Sequence, residues 1–391
     1  MKQMRIRRFC LIVLWILSLV AISVQGGVIS YSFFFGVTIL PIFSLVYMLF
    51  VYFLFKIYQR VDSRKMVCGQ PMPYFFVLQN EGFYPFASIS VRMFSSFSSV
   101  EELFGDKEYE LLAKDKYTYE TKIVCKYRGE YKVGIKEIVV TDFLRLFRIS
   151  YPIAEPIRAI VMPKIIRVTS LNSLEDLTVY MQRNTVMATT EPDVLVRNYV
   201  TGDAIKQIHW KASAREQAWK VRNRIGEEKQ GIAIFFDTRR YSKRMHEYIP
   251  VENKILETVL ALGVFLAEKN IAYEVCYGQS GLKKVNVNSV QGFEQFYETV
   301  SEVIYRGDEC FTDTLQNGIK SGIMLQNRVL LLVLHELTLE LIQLTEQLAE
   351  TGMLLILYVV TEENIEEYLK QSNERRKIIV IPIESELEGR L

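Results

Sequence analysis

Arg328 to His335 reads RVLLLVLH, and Met353 to Val360 reads MLLILYVV. Neither run alternates apolar with polar residues, as a strand with one wet face would; both have the texture of strands buried on two faces. Gly231 to Asp237 (GIAIFFD), Ile271 to Gly278 (IAYEVCYG) and Lys377 to Ile383 (KIIVIPI) share it. Between these runs the apolar spacing becomes helical, over Pro250 to Glu268, Gln291 to Tyr305, Thr312 to Met324, Leu337 to Glu350 and Glu362 to Ser372. Buried strands alternating with helices predict an α/β domain over 231–391, its mostly parallel sheet covered on both faces. In such sheets binding sites lie at the carboxyl ends of the strands, here near Asp237, Gly278, His335 and Thr361.

Upstream the texture changes. YFFVLQNEG (from Tyr74), ASISVRMF (from Ala87), YTYETKIVCKYRGEYKVG (from Tyr117) and KEIVVTDF (from Lys136) are rich in β-branched and aromatic residues. Turn signals at Asn80-Glu81-Gly82, Gly105-Asp106, Arg128-Gly129 and Gly134 separate them, predicting an antiparallel, sandwich-like β-domain over 66–168. Pro152, Pro156 and Pro163 read as an extended segment running back over its surface, and 169–230 as a connector between the domains.

No Lys, Arg, Asp or Glu lies between Arg8 and Lys56, and two apolar stretches in that gap, 9–28 and 33–55, are each long enough to cross a bilayer. With a short uncharged turn near Gly26 to Ser32, residues 1–65 read as a two-helix transmembrane hairpin. Lys2, Arg5, Arg7 and Arg8 precede the first helix, and Lys56, Arg60, Arg64 and Lys65 follow the second. Positive flanks on both sides predict a multi-pass protein of the cell membrane with both termini and the soluble domains in the cytoplasm. No small-x-small site precedes the second run, so a cleaved signal peptide is not the preferred reading.

Composition narrows the function classes. Forty-seven basic residues against 45 acidic ones give a formal net charge of +2, which calls for neither nucleic acid nor a strongly acidic substrate. The five cysteines are scattered without CxxC spacing, so reduced thiols are expected rather than a zinc or redox site. There is no GxxxxGK[ST] and no GxGxxG after a strand, so no nucleotide cofactor is expected.

The densest cluster of unusual residues is RNYVTGDAIKQIHWKASAREQAWKVR, Arg197 to Arg222, which holds two of the three tryptophans. It resembles the signature of the bacterial family called domain of unknown function 58: an Arg, then Gly-Asp, then Ile-His-Trp-Lys and Ser-Ala-Arg. Those positions here are Arg197, Gly202, Asp203, Ile208, His209, Trp210, Lys211, Ser213, Ala214 and Arg215. Arg128-Gly129-Glu130-Tyr131 is similar to the family's Arg-Gly-x-Tyr, and Asp142 to Phe147 (DFLRLF) partly matches its Asp-Pro-Phe-Gly-Leu-Phe. The resemblance implies a von Willebrand factor A-like, Rossmann-type α/β domain tied to the membrane. It also implies a MoxR-type AAA+ ATPase and a transglutaminase-like membrane protein as partners. It implies no known reaction.

Domains of that type often hold a divalent cation on Asp-x-Ser-x-Ser after the first strand, hydroxyl and carboxylate oxygens suiting a hard ion. Here the segment is Asp237-Thr238-Arg239-Arg240-Tyr241, with Arg and Tyr in place of both serines, and His335-Glu336 follows the strand where an Asp is usual. Such a degenerate site predicts no metal, with Asp237 paired instead to Arg239 or Arg240. His209 and Ser213 are neighbours on a helix and, with Asp203, invite a hydrolase reading, but no oxyanion donors or third group accompany them. Two other readings of the segment stand side by side. In one, Trp210 is a buried anchor, with Arg197, Asp203 and Arg215 as interdomain glue; in the other, the basic, aromatic surface docks a protein. The expected function is a non-enzymatic membrane-anchored scaffold or adaptor, with a metal-dependent ligand-binding module and a His209 hydrolase as alternatives.

Overall fold

The computed structural model describes residues 2–101, 108–168, 196–199, 210–222, 231–306, 310–323, 327–362, 372–373 and 375–387. The chain divides into two units, Met1–Lys164 and Ile165–Leu391.

The first unit opens on two antiparallel helices, α1 (Lys2–Gln25) and α2 (Val28–Leu54), both long and apolar enough to cross a membrane. Gly26, at φ +57°, ends α1, donating its N–H to Ile22 at 3.0 Å, and α2 starts two residues later. The expected extension of the first span through Gly26, Gly27 and Val28 is therefore corrected. Glycine in the left-handed region stops the helix, and α1 gains its length at the amino end, among basic side chains that can snorkel.

Strand β1 (Phe55–Val61) follows α2 without a linker, so strand structure begins at Phe55, ahead of the expected boundary at residue 66. Two four-stranded antiparallel sheets form the body. One has the order β1, β3 (Pro71–Asn80), β7 (Lys116–Cys125), β5 (Ser98–Val100). The other has β10 (Arg148–Pro152), β9 (Ile135–Thr141), β4 (Phe86–Met93), β6 (Glu108–Leu111). Alternate residues of β3 (Tyr74, Phe76, Leu78) are buried, as the period of two requires, and Phe76 meets Tyr109 of the opposite sheet edge-on at 6.4 Å. A third sheet joins β2 (Lys65–Val67), β11 (Ile157–Met162) and β8 (Gly129–Val133). The proline-marked segment, read as extended chain over the surface, forms two strands of the β-domain's sheets, β10 and β11. Its prolines fall at a strand end or just outside one, where no ladder N–H is missed.

In the second unit β12 (Val196–Asn198) and β13 (Lys220–Arg222) form a small ribbon beside α3 (Trp210–Glu216). The main sheet has six strands in the order β16 (Leu282–Val287), β15 (Tyr273–Gly278), β14 (Gly231–Phe236), β17 (Asn327–Leu334), β18 (Leu354–Val360), β19 (Arg376–Ile381). All pairings are parallel except β15 with β16. The edge strand LKKVNV escapes a reading based on apolar runs because its outer face is wet.

Both faces of β14 are buried. Ile232, Ile234 and Phe236 join the core under α4 (Met245–Glu268) and α5 (Val290–Ser301). Ala233 and Phe235 point oppositely, toward α6 (Phe311–Lys320) and α7 (Leu339–Glu350). Helix α4 begins a turn before Pro250, the expected start. Its polar residues are paired within the interior: Asn253 Nδ2 donates to Glu257 Oε1 at 2.8 Å, and Lys254 Nζ donates to the Ser385 carbonyl. The expected helix Glu362 to Ser372 lies outside the described residues.

Gly318 sets how closely α6 approaches the sheet, since a Cβ there would stand 2.7 Å from Phe235 Cζ. Gly318→Val should therefore cost about 1–3 kcal/mol through overpacking, read as a lower urea midpoint at unchanged slope.

Candidate functional site

Among the described residues of the second unit, two places carry polar chemistry of interest. The first is the carboxyl edge of the sheet, between β14 and β17, where strand order reverses. Asp237, directly after β14, is buried; its backbone N–H donates to Val333 O at 2.9 Å and its Oδ1 accepts from the Arg239 backbone N–H at 2.8 Å. Burial raises its carboxyl from 3.8 to about 7, against the lowering pull of that N–H and of the Arg239 charge.

The expected pairing of Asp237 with a neighbouring guanidinium is corrected. Arg239 Nη1 lies 3.6 Å from Glu336 Oε2, and Arg240 makes a two-pronged contact with buried Glu252, at 2.8 and 3.3 Å, while its guanidinium covers the Tyr248 ring at 4.1 Å. The planar fork of Arg240 fits the Glu252 carboxylate, and Arg239 reaches outward to Glu336 and not to the recessed Asp237. Tyr241 stacks on His335 with ring centroids 4.0 Å apart, and His335 Nδ1 lies 2.6 Å from Val360 O. Thr238 Oγ1 donates to Gly278 O at 2.6 Å. These donors do not suit a hard divalent cation: one Asp237 oxygen is already engaged, a guanidinium stands beside it, and the ring position after it is packed against an imidazole. Among the described residues no group of three His, Cys, Asp or Glu side chains converges as metal ligands would.

The second place is the Trp-Lys segment. Trp210 opens α3 and is 61% exposed; Trp219, just before β13, is 58% exposed. The two rings meet edge-on at 5.7 Å. Trp210 is therefore no buried anchor. The short α3 has no buried residue, and the indole rests on its neighbouring indole instead of entering a core.

Ser213 Oγ accepts from the Lys220 N–H at 2.9 Å and donates to the Lys220 carbonyl at 3.3 Å, which ties α3 to the ribbon and engages the hydroxyl a nucleophile would need. Lys220 Nζ pairs with Glu216 at 2.7 Å. Lys211 and Arg215, on the same helix as Trp210, are exposed. Arg197 lies in β12; Gly202, Asp203, Ile208 and His209 lie outside the described residues, as does most of the 169–230 connector. Sequence alone counts the second tryptophan in this cluster without giving it a role; Trp219 sits nine residues from Trp210 in the same basic stretch.

No family model matches the sequence, and no curated protein matches it significantly. Among solved structures the chain is similar to the CARDB domain of the PF1109 protein from Pyrococcus furiosus, at 10% identity and TM-score 0.18, over 27% of this chain and 86% of that one. A Pseudomonas fluorescens alkylpurine DNA glycosylase, AlkC, aligns at 13% identity and TM-score 0.16, over 35% and 40% of the two chains. A GH20 exo-β-N-acetylglucosaminidase from Vibrio harveyi aligns at 10% identity and TM-score 0.18, over 81% and 59%. Likenesses this slight assign neither fold nor activity.

Proposed function

We propose that the protein is a membrane-anchored, non-enzymatic adaptor that docks a protein partner on the Trp210/Trp219 surface. The observation that carries this is the exposure of two adjacent indoles, with the exposed Lys211 and Arg215 on the same short helix as Trp210. Trp and Arg dominate the energetics of protein interfaces, and a soluble surface gains nothing from leaving a pair of indoles wet. The two N-terminal helices supply the anchor, with the basic flanks holding both ends in the cytoplasm. The sheet order, with one antiparallel edge strand, supports the von Willebrand factor A-like reading, and the sequence signature supports membership of the domain of unknown function 58 family. On that resemblance the partner is a MoxR-type AAA+ ATPase. The metal-dependent alternative finds no support in the donors around Asp237, nor the hydrolase alternative in the engaged Ser213 hydroxyl.

The test is binding of the purified full chain to that ATPase. Trp210→Ala with Trp219→Ala should leave folding stability within about 1 kcal/mol, since both rings are more than half exposed. It should weaken binding by roughly 30-fold or more, as loss of an interface hot spot does. Unchanged affinity in the folded double variant would remove the docking reading.

A further inference from the structure

The β-sandwich does not hang from the membrane helices on a stalk; it grips the end of α2. Asp142 is fully buried and accepts hydrogen bonds from Ser44 Oγ of α2 and from the amides of Leu144 (3.2 Å) and Phe147 (2.6 Å). Phe143 packs edge-on against Phe43 (6.3 Å) and Tyr47 (5.3 Å) of α2. On the other helix, Arg7 and Arg8 donate to the carbonyls of Leu144 and Leu146, at 3.2 and 2.7 Å. A second loop, Glu81 to Pro85, runs along α2: the Glu81 N–H donates to Leu54 O, and Tyr47 Oη donates to Pro85 O. Asn80 Nδ2 fastens that loop to a third one, donating to the carbonyls of both Tyr84 and Leu112 at 2.8 Å.

Helical rise places these contacts relative to a bilayer. From Phe9 to the turn on α1, and from the turn to Ser44 on α2, the distance is about 25 Å, short of the ~30 Å hydrocarbon core. The whole of α2, 27 residues long, extends about 40 Å, close to the full bilayer with its headgroups. The stretch of α2 gripped by the sandwich, Ser44 to Leu54, thus begins about 5 Å inside the inner edge of the hydrocarbon core and runs out through the headgroup layer. The loops gathered there leave apolar side chains bare: Phe143 is 43% exposed, Phe83 76%, Tyr84 66% and Leu112 66%. Lys114 covers the Phe83 ring at 4.5 Å, its ammonium at hand for a phosphate. Aromatic rings with basic neighbours are what the membrane interface selects.

We infer that this rim, Phe83, Tyr84, Leu112 and Phe143, is a second membrane contact, inserted into the inner leaflet so that the β-sandwich sits flush on the lipid surface. The inference rests on the anchoring reading. Together hairpin and rim fix the sandwich with several points of attachment, where a hairpin alone would leave it free to swivel.

Tryptophan quenching in the full chain, reconstituted into phosphatidylcholine vesicles with dibrominated acyl chains, tests it. Trp210→Phe with Trp219→Phe leaves Trp15 of α1 as the reporter of the hairpin. Adding Trp15→Phe and then Phe143→Trp or Phe83→Trp reports the rim. Gln70→Trp, exposed beside the far end of the ten-residue β3, is the soluble control. Trp15 should lose most of its emission, the rim tryptophans should lose a large part of theirs and shift to the blue, and the control should lose none. Rim tryptophans quenched no more than the control, with Trp15 quenched, would overturn the rim alone; an unquenched Trp15 would overturn the anchoring and the rim with it. Because Phe83 is mostly exposed, Phe83→Trp keeps the test decisive should Phe143→Trp fold poorly.

Discussion

Asp237→Asn should flatten the pH dependence of stability in the α/β unit and stabilise that unit at alkaline pH. The carboxyl rises from 3.8 to about 7 on folding, so between those values the folded chain binds a proton the unfolded chain has released. Its contribution is complete below pH 4 and is lost as pH rises to about 7, above which a buried charge is carried. A difference of this size is worth on the order of 4 kcal/mol. Asparagine keeps the oxygen that accepts from the Arg239 N–H and carries no charge, so the cost disappears without opening a gap. Hydrogen exchange of the β14 and β17 amides at pH 5 and pH 8 is the readout. Protection in the wild type should fall relative to the variant at pH 8, and parallel profiles would show that Asp237 stays charged throughout.

Asp142→Ala should loosen the loop that joins the sandwich to α2. It strips the acceptor from two amides and from the Ser44 hydroxyl at a fully buried position, a loss of about 3 kcal/mol or more. Chymotrypsin acting on the lipid-reconstituted chain should cut near Phe143 or Phe147 much faster in the variant. Asp142→Asn, which retains an oxygen acceptor, should fall between the two. Equal cleavage in all three would mean that the loop is held by Phe143 and the arginines instead.

The legible parts of the fold were those whose burial is complete. RVLLLVLH and MLLILYVV announce their strands because both faces are apolar, and the uncharged amino-terminal stretch announces its two helices for the same reason. Half-wet elements were missed: LKKVNV at the sheet edge, and the proline-flanked strands β10 and β11, whose prolines mark ends instead of interrupting ladders. Helix limits were set by single residues of special geometry, such as Gly26 at φ +57°, more than by apolar count. At the candidate site the motif left two readings open, a buried Trp210 and an exposed aromatic surface. A tryptophan in sequence carries no sign of whether it enters a core; Trp210, 61% exposed, does not. Asp142 was legible as part of a motif; its bond to Ser44 links residues 98 apart and leaves no local trace.

Anchoring and docking alike require the hairpin to cross the bilayer with both ends inside. In a chain whose five cysteines are replaced, Gly27→Cys at the exposed turn should react with a membrane-impermeant maleimide in intact cells, while Gln70→Cys and Glu384→Cys should react only after permeabilisation. Labelling of Gln70→Cys or Glu384→Cys from outside, with Gly27→Cys protected, would contradict the assignment of the soluble units to the cytoplasmic face.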